Sequence, residues 1–231
     1  MTRAQRFRKV IEYFRANMPT PQTELQHNNP YQLVVATILS AQCTDKRVNL
    51  ITPAFFEHFP TPSVLAQAKP EEVFQLIRSC TYPNSKTRNL LGMAKGLVER
   101  YNGTVPMDVK EMQTLPGIGR KTANVVVSVA FNQPAIAVDT HVFRVARRIG
   151  LSYRAKTPLD TERQLMRGIP KELWAVAHHW LILHGRYTCT ARRPRCSECG
   201  IRELCKEFGK VNAQGNPKPH QAASKSHPRE L

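Results

Sequence analysis

The chain of 231 residues carries 34 Lys+Arg against 17 Asp+Glu, a formal net charge of +17 at pH 7 and a pI near 10.1. A balance that basic points to a polyanionic partner, most commonly nucleic acid, and the length admits one large domain or two small ones, either with a real core. No uninterrupted 18-residue apolar run and no basic helix with a strongly apolar opposite face is present, which argues against a membrane, and Met1–Arg8 lack the apolar stretch of a secretory signal, so a cytosolic protein is expected.

Prolines fall mostly between segments whose apolar residues recur at helical spacing, and no segment alternates with strand period for long. The spacing predicts helices over 2–17, 31–43, 45–58, 71–78, 85–102, 108–114, 120–131, 140–149, 159–167 and 171–187, an all-α fold. Asn102-Gly103 reads as a helix end rather than a hairpin. From residue 206 onward the composition turns to Gly, Pro, Asn, Gln, Ser and Lys/Arg with almost nothing apolar after Val211, which predicts a disordered basic tail able to add loose phosphate contacts.

Leu39-Ser40-Ala41-Gln42-Cys43-Thr44-Asp45 closes one helix and opens another, with Thr44 or Asp45 as the cap. Gln42 offers donor and acceptor groups, although a surface glutamine would look the same. Cys43 and Cys80 lie far from the other cysteines and read as plain buried or half-buried thiols.

The stretch from Leu115 to Val127 joins two helices by a very tight turn. Gly117 and Gly119 permit positive φ, and the amides after them belong to the unpaired first turn of the second helix. Free amides at the positive end of a helix dipole make an anion site, and in a basic protein the anion is a nucleic-acid phosphate; an ordinary Pro/Gly-closed hairpin would carry the same letters.

The helix after Gly119 is apolar around most of its circumference, with Lys121, Asn124 and Ser128 in one narrow stripe. Lys121 therefore stands at the mouth of a largely buried helix. A lysine at its reference pKa is neutral in only about one molecule in a few thousand at pH 7. Partial burial and a helix N-terminus both disfavour the ammonium, which makes Lys121 a candidate nucleophile as well as a candidate phosphate contact.

Asp139 in Val138-Asp139-Thr140-His141 is an N-cap candidate for the next helix, which Gly150 ends. A capping carboxylate is also rigid and kept ionised, so it can stabilise a developing sugar cation. His178, His179 and His184 form no i, i+4 pair and, like His141, read as packing or polar-edge residues. Cys189, Cys196, Cys199 and Cys205 crowd one arginine-threaded stretch, and four grouped thiolates in a cytosolic protein suit tetrahedral zinc or an iron–sulfur cluster; the unequal 6, 2, 5 spacing leans towards the cluster.

With these residues assembled, the sequence resembles the endonuclease III family of DNA glycosylases in the helix-hairpin-helix superfamily, over roughly residues 5 to 206. The carriers are Leu-Ser-Ala-Gln at 39–42, Leu-Pro-Gly-Ile-Gly-Arg-Lys-Thr-Ala at 115–123, Val-Asp-Thr-His-Val-Phe-Arg-Val at 138–145, His-Trp-Leu-Ile-Leu-His-Gly-Arg at 179–186 and the four cysteines. The resemblance implies two helical domains flanking a DNA-binding cleft. One is a barrel over 22–133; the other is built from 1–21 and 134–211 and carries a [4Fe-4S] cluster on Cys189, Cys196, Cys199 and Cys205, with 212–231 as the basic tail. It implies excision of oxidised pyrimidines from duplex DNA and strand cleavage 3′ to the abasic site by β-elimination, in a bacterial, nucleoid-associated monomer.

Lys121 matches the family's Schiff-base lysine, Asp139 its catalytic aspartate and Gln42 the residue that fills the gap left by an everted base. Gly117, Gly119 and Arg120 fall in its DNA-gripping hairpin, and related adenine glycosylases lack a lysine at the position of Lys121. One departure stands out: where relatives carry a Gly-Leu-Tyr-like turn before Asn-Ser-Lys, this chain reads Cys80-Thr81-Tyr82-Pro83, which leaves Tyr82 as the candidate wedge into DNA.

Overall fold

The structure, a computed structural model, describes residues 1–213. Among these are twelve α-helices, three 3₁₀ turns and no strand, as the spacing predicts. Helix α1 spans Arg3–Asn17, α2 Pro30–Leu39, α3 Asp45–His58, α4 Pro62–Ala66, α5 Pro70–Ile77 and α6 Pro83–Tyr101. The chain continues with α7 Val109–Met112, α8 Arg120–Ala130, α9 Thr140–Ile149, α10 Pro158–Gly168, α11 Trp174–Tyr187 and α12 Lys206–Ala213.

Three elements depart from the sequence reading. α2 stops at Leu39 rather than 43, because Gln42 takes a left-handed backbone (φ 54°) that no helix can contain. α4 is only five residues long, below the length at which apolar periodicity can be read. α12 occupies the start of the expected tail: Lys206–Ala213 is helical, not disordered, and the rest of that tail lies outside the described residues.

Caps explain most boundaries. Thr2, Asn29, Thr44, Thr61, Asp108, Asp139 and Thr157 each accept a backbone N–H at a helix start, typically worth about 1 kcal/mol apiece. Asn102 and Gly103 end α6 in left-handed conformations, with the Gly103 amide donating to Leu97 O at 2.9 Å.

The helices bury two separate apolar cores. The first gathers side chains from Leu25 to Ala135, with Leu33, Phe55, Leu90, Met93 and Val126 at its centre. The second joins Phe7, Val10 and Phe14 of α1 to residues 136–201, including Val142, Ile149 and Trp180. The distant N-terminus is pinned there by a stack of Phe14 on Trp180 (5.8 Å between centroids), by Trp180 Nε1 donating to Met18 O, and by Arg6 donating to Leu204 O.

Two close crossings fix the parts that matter for chemistry. A Cβ on Gly92 or Gly96 of α6 would stand 2.9 Å from the Pro116 ring or 2.7 Å from a Leu115 methyl, so the missing side chains seat the turn between α7 and α8. A Cβ on Gly185 would stand 2.9 Å from His141 Cβ, so α11 crosses α9 closely enough to bring its last turn beside Asp139.

Candidate active site and thiol centre

A cleft of about 1270 Å³ runs between the two cores and is lined by Gln42, Asp45, Lys121, Asp139, His178 and Arg186 among others. Apart from Gln42 and Asp45, these residues are distant in sequence; a loop, the starts of α3, α8 and α9, and the middle and end of α11 bring them together.

Gly119 occupies the N-cap position of α8 and offers no side-chain cap, so the first-turn amides lack the intramolecular acceptor that Ser or Asp would provide. Of the two glycines only Gly117 uses a positive φ (77°), while Gly119 is extended (φ −82°), with open space where a Cβ would stand. Arg120 turns its guanidinium to Glu162 at 2.5 Å, and buried Glu162 also accepts from Asn124 Nδ2 at 3.3 Å. Asn124 itself donates to Ile136 O. This buried node, absent from the sequence reading, ties α8 to α10 and to the strand-like approach to Asp139.

Lys121 opens onto the cleft yet is ringed by protein, and that desolvation holds its pKa below the ordinary lysine value. The charges of Asp139 and Asp45 pull it back up, and Arg186 pushes it down. Asp139 Oδ1 accepts the Val142 amide at 2.8 Å, so the carboxylate is fixed as the cap of α9 while facing the cleft. His178 is buried, its Nδ1 lies 2.7 Å from Ala137 O, and burial first, then neighbouring His179 and Lys121, lowers its pKa to about 3. The ring is neutral, with Nδ1 as donor, and it clamps α11 to the residues just before Asp139.

Gln42 lines the cleft; Tyr82 does not, but it stands 62% exposed at the tip of the adjacent loop. Both residues adopt φ of 54°, and Thr81 Oγ1 donates to Gln42 O at 2.7 Å, stapling the two tips together. Buried Lys86 donates to Leu39 O at 2.7 Å beneath them. Cys80 is buried beside half-buried Cys43, as plain thiols would be, and burial with the nearby Cys43 lifts Cys80 to about 11.

The other four cysteines stand at the far side of the second core, all free and half-buried. Burial raises the thiol pKa of Cys196, Cys199 and Cys205, and each also feels Cys189, so the four share one space. Among the described residues no three His, Cys, Asp or Glu side chains converge tightly enough to hold a single ion. Arg148 Nη1 approaches Cys189 Sγ at 3.6 Å and His184 Nε2 approaches Cys199 Sγ at 3.8 Å, donors suited to an anionic thiolate centre. His184, read from the sequence as packing, therefore also reaches the cysteine loop.

A glycine-turned hairpin of helices set against a lysine–carboxylate cleft defines the class of helix-hairpin-helix base-excision glycosylases. Residues 35–171 match the family described as "HhH-GPD superfamily base excision DNA repair protein", and residues 189–205 match the "Iron-sulfur binding domain of endonuclease III". The chain is 48% identical to endonuclease III of Bacillus subtilis, covering 85% of this chain and 90% of that one. Against endonuclease III of Escherichia coli K12 it is 42% identical over 92% and 100%. The fold superposes with a TM-score of 0.87 on a solved structure described as "Structure of a Trapped Endonuclease III-DNA Covalent Intermediate: Estranged-Adenine Complex", at 45% identity over 92% of this chain and 100% of that one. The chain belongs to the endonuclease III family: it is a base-excision-repair DNA glycosylase and AP lyase with an iron–sulfur domain.

Proposed function

We propose that this chain excises oxidised pyrimidines from duplex DNA with Lys121 as nucleophile and Asp139 as its partner carboxylate, then cleaves the strand 3′ to the abasic site. The observation that carries this is the pair itself: two residues that begin consecutive helices, one an amine at the open mouth of α8 and the other a fixed cap, face one cleft large enough for a nucleotide. That a relative of the same fold has been trapped as a covalent DNA intermediate supports it.

The steps follow from the side chains. Phosphates bind the free first-turn amides after Gly119, including that of Arg120, whose guanidinium is engaged elsewhere. A damaged base, already weakly stacked, swings into the cleft while Gln42 and Tyr82 enter the stack it leaves. The Lys121 amine attacks C1′ and the glycosidic electron pair leaves with the base, while Asp139 stabilises the positive sugar. The amine then yields its proton to O4′ as the C1′–O4′ bond opens, and the resulting imine acidifies the 2′ proton, whose removal expels the 3′ phosphate.

Cys189, Cys196, Cys199 and Cys205 hold the [4Fe-4S] cluster, which when bound gathers four thiolates into one centre and folds the arginine-bearing loop around it. The gathering of buried side chains into two cores supports a division into a barrel domain over 22–133 and a cluster domain from 1–21 and 134–211. No helix among the described residues is long and apolar enough to cross a membrane. Borohydride added with an oxidised-pyrimidine duplex gives a covalent adduct with the unaltered protein and none with Lys121→Gln. Base release without any adduct would assign a monofunctional glycosylase instead.

A further inference from the structure

We propose that Arg186 is a positioning residue for the lyase chemistry: by bridging Glu24 and Asp45 it ties the two sides of the cleft together and offsets the pull of Asp45 on the Lys121 amine. The inference rests on the reading of Lys121 as nucleophile and adds the group that tunes it.

Arg186 lies in the last turn of α11, on the second core, whereas Asp45 opens α3 and Glu24 precedes α2, on the first. Arg186 Nη1 donates to Asp45 Oδ2 at 2.7 Å and also to the Glu24 carboxylate, whose other oxygen accepts the Tyr187 hydroxyl. The Asp45 and Arg186 side chains are only 15% and 25% exposed, so the ion pair is poorly screened by solvent. Helix α11 approaches so closely because Gly185 admits His141, and the same approach places Arg186 over the cleft that holds Lys121.

The remaining charged or titratable groups on that cleft are Cys43, Lys46, Asp139, His141, His178, His179 and Tyr187. Burial lowers the pKa of both His178 and His179 and keeps these rings neutral near pH 7. The electrostatic balance at the amine is therefore set by burial and Arg186 on one side and by Asp139 and Asp45 on the other. Asp45 favours the Lys121 ammonium and Arg186 opposes it. Without the guanidinium, Asp45 acts unopposed, the ammonium gains, and the pH at which free amine becomes available rises. Without the Asp45 charge the sign reverses.

The test is the pH dependence of single-turnover borohydride trapping on an abasic-site duplex, using the cluster-bound protein and its Arg186→Gln, Arg186→Lys, Asp45→Asn and Arg186→Gln/Asp45→Asn variants. Arg186→Gln is expected to move the acid limb upward by about half a pH unit or more, and Asp45→Asn downward by a similar amount. The double variant falls between them and Arg186→Lys stays near the unaltered protein. A merely structural tie would lower the plateau and leave every limb in place, and that result overturns the proposal; should Arg186→Gln fail to fold, an unmoved limb in Asp45→Asn does the same. Absence of any adduct from the unaltered protein at all pH values would instead remove the nucleophile assignment and this inference with it.

Discussion

Glu162 shows how a single buried carboxylate reorganises the reading of its neighbours. Arg120 follows the two hairpin glycines and reads from the sequence as a phosphate contact, yet Glu162 receives its Nε and Nη2 together with Asn124 Nδ2. Removing the charge leaves Asn124 buried with one partner fewer, whereas half-exposed Arg120 recovers water. Glu162→Gln is therefore expected to cost about 1–3 kcal/mol, read as a lower urea midpoint with an unchanged slope. The cost falls below that of a fully buried pair because one partner is already half solvated. No periodicity marks Glu162: it sits in an amphipathic helix like any surface acid, and only the docking of α10 against α8 buries it.

Among the elements, the hairpin between α7 and α8 separates two reasons for a glycine. Gly117 needs both its positive φ and its lack of a side chain, since a Cβ would meet Asn89 Cβ at 2.7 Å. Gly119 needs neither, having an extended backbone and open space around it. Gly117→Ala is accordingly expected to destabilise by about 1–3 kcal/mol in thermal or urea unfolding. Gly119→Ala should leave the melting temperature unchanged and weaken duplex binding severalfold, because an added methyl stands where a phosphate approaches the amides. If Gly119→Ala binds duplex as tightly as the parent, the open space is not a ligand's.

For the whole molecule, the +17 charge and the cleft between two cores work together. Charge alone gathers DNA without reading sequence, and the cleft then selects a base that leaves the stack readily. Binding to undamaged duplex is expected to fall at least about a thousandfold between 50 and 200 mM salt, measured by fluorescence anisotropy. A log–log slope near zero would assign the basic surface to something other than phosphate. The bridge from Arg186 to Glu24 and Asp45 is the ion-pair tie between the two cores at the cleft itself, so cleft width and amine chemistry share one set of side chains.

The sequence by itself determined the helical class, most helix boundaries, the hairpin and the candidate residues Lys121, Asp139 and the four cysteines. Those features are local: helical spacing, capping side chains and short motifs act over a few residues. Only the tertiary structure decided that Arg120 serves Glu162, that Gln42 and Tyr82 share a stapled pair of loop tips, and that Arg186 reaches Asp45 across 141 positions of chain. Such contacts depend on which helix faces meet, and that is set by the interlocking of two cores and by three glycine-sized gaps at Gly92, Gly96 and Gly185, not by any pattern along the chain.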